Sequence, residues 1–375
     1  MSDKDYLPFT RPTIDEATIA AVADVLRSGW ITSGPKVSEF EQALAAYLGG
    51  GRQVRTYLHA TGALEECLRL AGVGPGDEVI VPAMTFAATA NVVLRVGATP
   101  VLVDVDLRSR SLLLDQAAAA VTPKTRAIMP VHMNGLAADM DGVYALAKQH
   151  GLRVIEDAAQ AIGSEYKGRR IGSFGDIVVF SFHANKNLTT IEGGAVSVAD
   201  AEQVKQLEIL RFHGITKYPD GTMDVTCAAS KHNMTDVAAA VGIEQLKRLD
   251  EFNDKRRQLA YRYLELLDEE ELCVLPARGD AGHSWHMFTV LPHYTPRCPD
   301  RNALKQRMHA RGIGLGIHYQ ALNQFTLYRE LGYRAGQFPN AERIGTETVT
   351  LPLFPGMMPE QVDRVCAVLN EALCA

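Results

Sequence analysis

One lysine, Lys186, lies between two short apolar runs of the sequence. The runs cover residues 177–180 and 195–198, and their β-branched side chains predict two strands that flank a polar connection. A lysine held between a hydroxyl-bearing strand end and a Gly-Gly turn can be shielded from water, so that its amine loses a proton and attacks a carbonyl. This is Schiff-base chemistry, and pyridoxal phosphate (PLP) is the aldehyde that it most often serves. Taken alone, such a lysine is ordinarily a solvated loop residue. The rest of the chain has to decide between this role and Schiff-base chemistry.

A carboxylate, Asp157, follows the predicted strand at residues 153–155. An unpaired carboxylate is costly to hold there, so it needs a cationic partner. A protonated pyridine nitrogen is such a partner, and keeping it protonated makes the cofactor ring an electron sink. Its neighbour Glu156 is expected on the opposite face of the sheet or in solvent, because adjacent strand residues alternate. Asp157 precedes Lys186 by 29 residues, enough for one loop and one strand to bring both to the same edge.

Three further residues combine a chemical function with an ordinary alternative. Thr61 and Gly62 open a predicted helix at residues 63–71 and offer a hydroxyl and bare amides to an anion, unless the threonine is a plain N-cap. Phe86 follows a predicted strand at residues 78–81 and is either core or a ring that stacks on the cofactor.

The elements that must position these residues alternate along the chain. Helical segments separate most of five strand-like runs, which cover residues 78–81, 100–103, 127–131, 153–155 and 177–180. This alternation predicts an α/β fold with a large, doubly wound, mostly parallel sheet. In such sheets ligands bind beyond the carboxyl ends of the strands.

A change of domain is predicted near Asp250. Residues 1–250 would form the large PLP-binding domain with an N-terminal arm, and residues 251–375 a smaller α+β domain. The smaller domain is predicted from helices at residues 302–311 and 359–373 and from strands at residues 286–291, 313–318 and 348–351.

Composition narrows the class of partner. The 375 residues are 47% hydrophobic and carry a net charge of −6 without a basic run, which argues against nucleic acid and anionic membrane surfaces as partners. No apolar run approaches the roughly 20 residues of a membrane helix, and the N-terminus lacks a signal core, so a cytoplasmic location is expected. The six cysteines show no CxxC spacing, and His283-x-x-His286 lacks a third ligand, so no metal site is predicted.

Several motifs occur together and in order. They are His59-Ala60-Thr61-Gly62-Ala63-Leu64, Gly74-Pro75-Gly76-Asp77-Glu78-Val79-Ile80-Val81-Pro82, Thr85-Phe86, Glu156-Asp157-Ala158-Ala159-Gln160 and Ser181-Phe182-His183-Ala184-Asn185-Lys186-Asn187. The set resembles that of the DegT/StrS-type sugar aminotransferases, which are PLP enzymes of fold type I that act as homodimers on nucleotide-linked keto sugars. The resemblance spans nearly the whole chain.

The resemblance implies a role for each matching residue. Lys186 would bind the cofactor covalently and then carry the proton between cofactor and substrate carbon, while Asp157 would bind the pyridine nitrogen. The other implied cofactor contacts are Phe86 on the ring, Gln160 near the ring oxygen, Thr61, Gly62 and Ser181 at the phosphate, and Lys231 reaching the partner's phosphate. Each active site would therefore need both subunits of a homodimer.

Within the family, the sequence is similar to UDP-4-amino-4-deoxy-L-arabinose:oxoglutarate aminotransferases. His183 and His318 would then face the sugar, and Trp30, which is otherwise a core or subunit contact, is the third candidate for substrate contact. Phe86 stands where tryptophan is usual in that subgroup, and Gln160 replaces a histidine. These departures lie on the substrate side of the ring, so the resemblance does not define which sugar is bound.

The predicted reaction moves an amino group from glutamate to the 4-keto group of a nucleotide-linked pentose or 6-deoxyhexose. One alternative is a PLP-dependent sugar dehydratase, but by resemblance a histidine takes the place of the lysine there. The other is a non-catalytic regulatory protein of the same fold, which would need an effector or DNA-binding module. No basic helix or appended segment of that kind is visible.

Overall fold

The computed structural model describes residues 6–280 and 282–374, so part of the predicted N-terminal arm, residues 1–5, lies outside it. The strands, in chain order, are β1 (Gln53–Tyr57), β2 (Glu78–Pro82), β3 (Thr99–Val103), β4 (Thr125–Ile128), β5 (Arg153–Asp157), β6 (Glu165–Tyr166), β7 (Arg169–Arg170), β8 (Ile177–Ser181), β9 (Gly194–Val198), β10 (Ile215–Lys217), β11 (Met223–Val225), β12 (Cys273–Val274), β13 (Phe288–Pro292) and β14 (Val349–Leu351).

The α-helices are α1 (Glu16–Ser28), α2 (Pro35–Leu48), α3 (Ala60–Leu70), α4 (Ala88–Arg95), α5 (Leu114–Ala119), α6 (Met140–His150), α7 (Ala201–Leu210), α8 (Asp236–Lys247), α9 (Leu249–Leu266), α10 (Arg301–Ala310), α11 (Thr326–Glu330), α12 (Pro339–Glu347) and α13 (Pro359–Cys374). Two single 3-10 turns cover Met133–Gly135 and Leu322–Gln324.

A seven-stranded sheet forms the centre of the molecule. Its strand order is β1-β9-β8-β5-β4-β2-β3, and the pairs from β8 to β3 are all parallel. These strands read as continuous apolar runs because helices cover both faces of the sheet. Strands β9 and β1 pair antiparallel at one edge. The predicted α/β class with a large, mostly parallel sheet is confirmed.

The C-terminal side has an apolar core of its own, but some of its residues, such as Tyr328 and Ile344, pack into the core of the large sheet. One core of the C-terminal side packs α9, α10 and α13 against β13 and β14, with Trp285 and Phe288 completely buried within it. Helix α9 contributes to both sides, since Leu249 packs with the residues under the large sheet and Leu259 with the C-terminal core. The domain boundary near Asp250 stays a prediction.

Several elements of the structure differ from the predictions. Strand β1 was not expected, because only two of its five residues, Val54 and Tyr57, are apolar. The strand predicted at residues 313–318 is wrong: Ile313 and Gly316 make only isolated bridges, to Leu7 and Thr350. Alternating glycines weaken that segment as a strand. Helix α3 begins at Ala60 rather than at residue 63, because His59 caps it.

Candidate active site

A cavity of about 650 Å³ opens at the carboxyl ends of the parallel strands. Residues that follow β2, β4, β5 and β8 line it, together with the first turn of α3 and one segment of the C-terminal side. The sequence-predicted residues among the lining are Thr61, Phe86, Asp157, Gln160, Ser181, His183, Lys186 and His318. Strands β5 and β8 are paired neighbours, which is why Asp157 and Lys186 reach the same cavity.

Lys186 lies in the turn that follows β8. Its backbone N–H donates to the carbonyl of His183 at 2.9 Å, and the next residue, Asn187, is anchored by its amide, which donates to Asn253 Oδ1 at 2.7 Å. Within the described part of the chain, the Lys186 ammonium has no hydrogen-bond partner. Burial lowers the pKa of Lys186 to about 8, although the charge of Asp157 acts in the opposite direction. The amine therefore becomes a nucleophile near neutral pH.

Asp157 is the last residue of β5 and is buried. Thr89 Oγ1 donates to its Oδ2 at 2.7 Å, and the backbone N–H of Ala159 donates to its Oδ1 at 3.1 Å. Burial raises the pKa of Asp157, while these two hydrogen bonds and the charge of Lys186 oppose the rise. Each carboxylate oxygen keeps further acceptor capacity, so the group can bind a cationic N–H from the cavity.

Glu156 points away from the cavity, to the opposite face of the sheet. It is fully buried there, where Tyr144 Oη donates to its Oε1 at 2.7 Å and His132 Nε2 lies 2.9 Å from its Oε2. The alternation predicted for this strand is therefore observed. It separates a structural carboxylate from the one in the cavity.

The first turn of α3 forms another part of the wall. His59 Nδ1 accepts the backbone N–H of Gly62 at 2.9 Å, so histidine, not threonine, is the N-cap. Gly62 itself does not line the cavity, and a Cβ there would lie 2.6 Å from the ring of His232. The backbone N–H groups of Ala60 and Thr61 have no partner among residues 6–280 and 282–374. Two such amides at a helix start suit an anion.

His318 and Tyr319 form the wall on the C-terminal side. His318 Nδ1 is hydrogen-bonded to Thr350 Oγ1 at 2.7 Å. Burial, together with the positive charges of Lys186 and Arg110, lowers the pKa of His318 to about 4, so its imidazole is neutral at pH 7. Tyr319 Oη accepts a hydrogen bond from Gln160 Nε2 at 3.2 Å.

Aromatic and polar groups complete the lining. The Phe86 ring is 56% exposed, towards the cavity, and its centroid lies 5.6 Å from that of Tyr319. His183 is hydrogen-bonded to Asn185 through Nδ1, and its Nε2 lies 3.8 Å from Glu192 Oε1. Sequence reasoning assigned no role to Tyr319, Glu192 or the capping side chain of His59. Only their adjacency to His318, to the Gly-Gly turn and to Thr61 could have indicated them.

Besides Gly62, two predicted residues, Trp30 and Lys231, lie outside the cavity of the single chain. Trp30 is 66% exposed on the loop after α1, so its core alternative is wrong. Lys231 is also exposed, and its backbone forms an isolated bridge with Phe212. Neither side chain is brought to the lining by the fold of one chain.

The described residues also bear on metal and membrane binding. In residues 6–280 and 282–374, no group of three or more His, Cys, Asp and Glu side chains is arranged to hold a metal ion. All six cysteines are free thiols. No helix in this part of the chain has the length and apolar character needed to cross a bilayer.

The residues of the cavity fit PLP. The amine of Lys186 suits the cofactor aldehyde, and the Asp157 carboxylate has acceptor capacity for a pyridinium N–H. The unpartnered amides at the start of α3 suit the phosphate, and the exposed face of Phe86 suits the ring.

Comparisons with known proteins point the same way. Residues 12–370 match the model of the DegT/DnrJ/EryC1/StrS aminotransferase family. A Streptococcus pneumoniae protein assigned as a sugar aminotransferase and solved in its PLP form is 35% identical, with a TM-score of 0.91 over 98% of this chain and 100% of that one. Helicobacter pylori PseC, an aminotransferase involved in the biosynthesis of pseudoaminic acid, is 27% identical, with a TM-score of 0.92 over 98% and 99%.

S. venezuelae DesV, solved in complex with a ketimine intermediate, is 36% identical, with a TM-score of 0.87 over 94% of this chain and 93% of that one. The match therefore covers both sides of the molecule and every wall of the cavity. The chain belongs to the DegT/DnrJ/EryC1/StrS aminotransferase family, a family of PLP-dependent enzymes.

Proposed function

We propose that this chain transfers the amino group of glutamate to the 4-keto group of a nucleotide-linked sugar, a UDP-4-keto-pentose or a similar 4-keto-6-deoxyhexose. The product would serve amino-sugar biosynthesis, for lipid A and O-antigen of lipopolysaccharide or for natural-product glycans. The observation that carries the proposal is the convergence of Lys186, Asp157 and the start of α3 on one cavity.

When bound, PLP supplies the carbonyl that the amine attacks and a ring that accepts electrons during amino transfer. Lys186 Nζ takes up and returns the proton that moves in each half-reaction. Its pKa of about 8 suits this task, since a group whose pKa lies near the working pH both accepts and donates protons. The Asp157 carboxylate would stabilise positive charge on the cofactor ring, and Thr89 fixes the orientation of that carboxylate through the 2.7 Å hydrogen bond.

We assign the phosphate to the first turn of α3, with Thr61 and the adjacent amides, and to Ser181 at the end of β8. The Gly62 N–H is taken by His59, so Gly62 contributes by leaving room for the neighbouring His232 ring. Phe86 would cover one face of the cofactor ring. This arrangement leaves His183 and His318 on the walls where a sugar can enter.

The need to bind the charged amino donor supports a homodimer with shared active sites. Glutamate carries two carboxylates, and the described lining residues of one chain include Lys186 and three histidines but no arginine. The exposed Lys231 would reach the cofactor phosphate in the site of the partner. Exposed Trp30, Ile31 and Phe212, which are 66%, 46% and 37% accessible, are apolar groups that a second copy would bury.

A spectroscopic assay of each half-reaction tests the proposal. The PLP-loaded protein is treated with glutamate, which we expect to bleach the visible absorbance and to release 2-oxoglutarate in equal amount. After the donor is removed, a panel of UDP-, GDP- and dTDP-linked 4-keto sugars is added one at a time. The correct sugar should restore the absorbance and leave as an amino sugar.

Two controls sharpen the assay. Lys186→Ala should abolish both half-reactions. Lys205→Ala should change neither, because it removes an exposed lysine whose only ion pair within residues 6–280 and 282–374 is with Glu202. Bleaching without recovery by any 4-keto sugar would contradict the proposed acceptor. Absence of bleaching by glutamate would contradict the proposed donor.

A further inference from the structure

A chain of three hydrogen bonds runs from the C-terminal side into the cavity. Asn134 Nδ2 donates to Thr289 Oγ1 of β13 at 2.8 Å, and the Asn134 backbone N–H donates to Gln160 Oε1 at 2.8 Å. Gln160 Nε2 then donates to Tyr319 Oη at 3.2 Å. Asn134 and Gln160 are buried, while Tyr319 lines the cavity.

The backbone N–H of Asn134 fixes the direction of the hydrogen bonds that follow it. A backbone N–H can only donate, so the Gln160 atom that faces Asn134 must be the carbonyl oxygen. The amide nitrogen of Gln160 therefore faces Tyr319, and the phenol oxygen is used as the acceptor. It follows that the Tyr319 proton points away from Gln160.

The Tyr319 proton has no acceptor within the described part of the chain. Burial and the charge of Asp157 raise the pKa of Tyr319, so the hydroxyl keeps its proton at neutral pH. A protonated hydroxyl on a cavity wall with no protein acceptor is a hydrogen-bond donor held ready for a ligand.

We infer that Tyr319 donates its hydroxyl hydrogen to an oxygen of the ligand in the cavity, either the ring oxygen of PLP or an oxygen of the sugar. The inference rests on the proposed function and adds a binding residue to it. The chain Asn134–Gln160–Tyr319 makes this donor directional, because its far end is tied to β13. The Phe86 ring beside Tyr319 places the donor on the wall that the aromatic cofactor would occupy.

Tyr319→Phe tests the inference, since it removes the hydroxyl and keeps the ring. Tyr328→Phe is the matched control, because it removes a buried hydroxyl that donates to Asn91 outside the cavity. We expect Tyr319→Phe to weaken one binding step by about tenfold, the effect of losing one well-placed hydrogen bond. Far-ultraviolet circular dichroism of both variants confirms that they fold.

Two measurements identify the source of the oxygen. If the ring oxygen is the acceptor, the PLP dissociation constant of the apoprotein rises and the absorbance of the bound cofactor shifts before any substrate is added. If a sugar oxygen is the acceptor, those values hold while the KM for the keto sugar rises and the glutamate half-reaction stays unchanged. Tyr319→Phe with both sets of values at the wild-type level would overturn the inference.

Gln160→Glu provides an independent check. A carboxylate at residue 160 still accepts the Asn134 N–H, but its second oxygen now accepts the Tyr319 proton and turns it away from the cavity. Gln160→Glu should therefore weaken ligand binding less in the Tyr319→Phe background than in the wild type. A double-mutant cycle measures this coupling. Additive effects would overturn the inference. Failure of wild-type protein to react with glutamate would instead refute the proposed function.

Discussion

The titration of Lys186 provides the sharpest quantitative prediction. Burial lowers its pKa from 10.5 to about 8, and the charge of Asp157 limits the fall. Replacing that carboxylate in Asp157→Asn removes the charge that favours the ammonium. The pKa of Lys186 in the apoprotein should therefore fall below 8 in this variant, even though its amine is untouched.

The magnitude follows from the structure. With a pKa of about 8, about one Lys186 amine in ten is neutral at pH 7, compared with about one in 3,000 for a lysine at 10.5. The difference corresponds to about 3 kcal/mol by which the fold disfavours the charged form. The neutral fraction of Lys186 should rise with pH and level off above about pH 8. The rate at which the amine attacks a carbonyl or an acylating reagent should follow this fraction.

Competitive acylation measures this titration lysine by lysine. The apoprotein is treated with a trace of acetic anhydride over a range of pH, and peptides are quantified by mass spectrometry. Lys167 is the internal reference, because its exposed ion pair with Asp141 raises its pKa above 10.5. A Lys186 midpoint that equals that of Lys167, or one that rises in Asp157→Asn, would refute the reasoning.

Three further predictions concern single substitutions. Thr89→Val removes the hydroxyl that donates to Asp157 Oδ2, so PLP binding measured by absorbance titration should weaken by about tenfold while the chain stays folded; unchanged affinity would contradict the role given to this hydrogen bond. Ile191→Gly should raise the free energy of unfolding, measured by urea denaturation, by about 1 kcal/mol, because Ile191 is a largely exposed β-branched residue at φ 73°. A loss of stability would show that the turn is not strained. Arg52→Met should lower the free energy of unfolding by about 2 to 4 kcal/mol, since the buried guanidinium donates to the carbonyls of Gly175, Asp176 and Ser197. A loss below about 1 kcal/mol would argue against a stabilising role for these hydrogen bonds.

The parallel strands could be predicted from the sequence because burial on both faces produces continuous β-branched runs. Strand β8, for example, reads Ile-Val-Val-Phe-Ser and is buried throughout. Strand β1 could not be found in this way, because Arg55 lies between its apolar residues and pairs with Glu208 at the surface. Edge strands of this kind depend on the neighbouring strand, which periodicity does not reveal.

The cavity was predictable where a residue directly follows a strand. Asp157 and Lys186 meet because β5 and β8 are adjacent, and their carboxyl ends share an edge. Tyr319 belongs to an irregular segment of the C-terminal side, more than 130 residues beyond Lys186, so its approach to Gln160 depends on tertiary packing. No local pattern records that contact.

The helix cap shows the limit of local rules. Thr61 is a good N-cap by type, but the fold places it inside the first turn and gives the cap to His59. His59 can do this because its Nδ1 reaches the Gly62 N–H while its ring packs against His232 from a distant segment. Trp30 and Lys231 are exposed in the single chain, and their assignments therefore stay predictions about a dimer.

Borohydride reduction of the PLP-loaded protein tests the central claim most directly. Reduction makes the link between cofactor and amine permanent, so peptide mass spectrometry shows which lysine carries it. We predict the added mass on Lys186 alone, and its loss when glutamate is supplied before the reductant. A label on another lysine, or a label on Lys186 that glutamate does not diminish, would contradict the account.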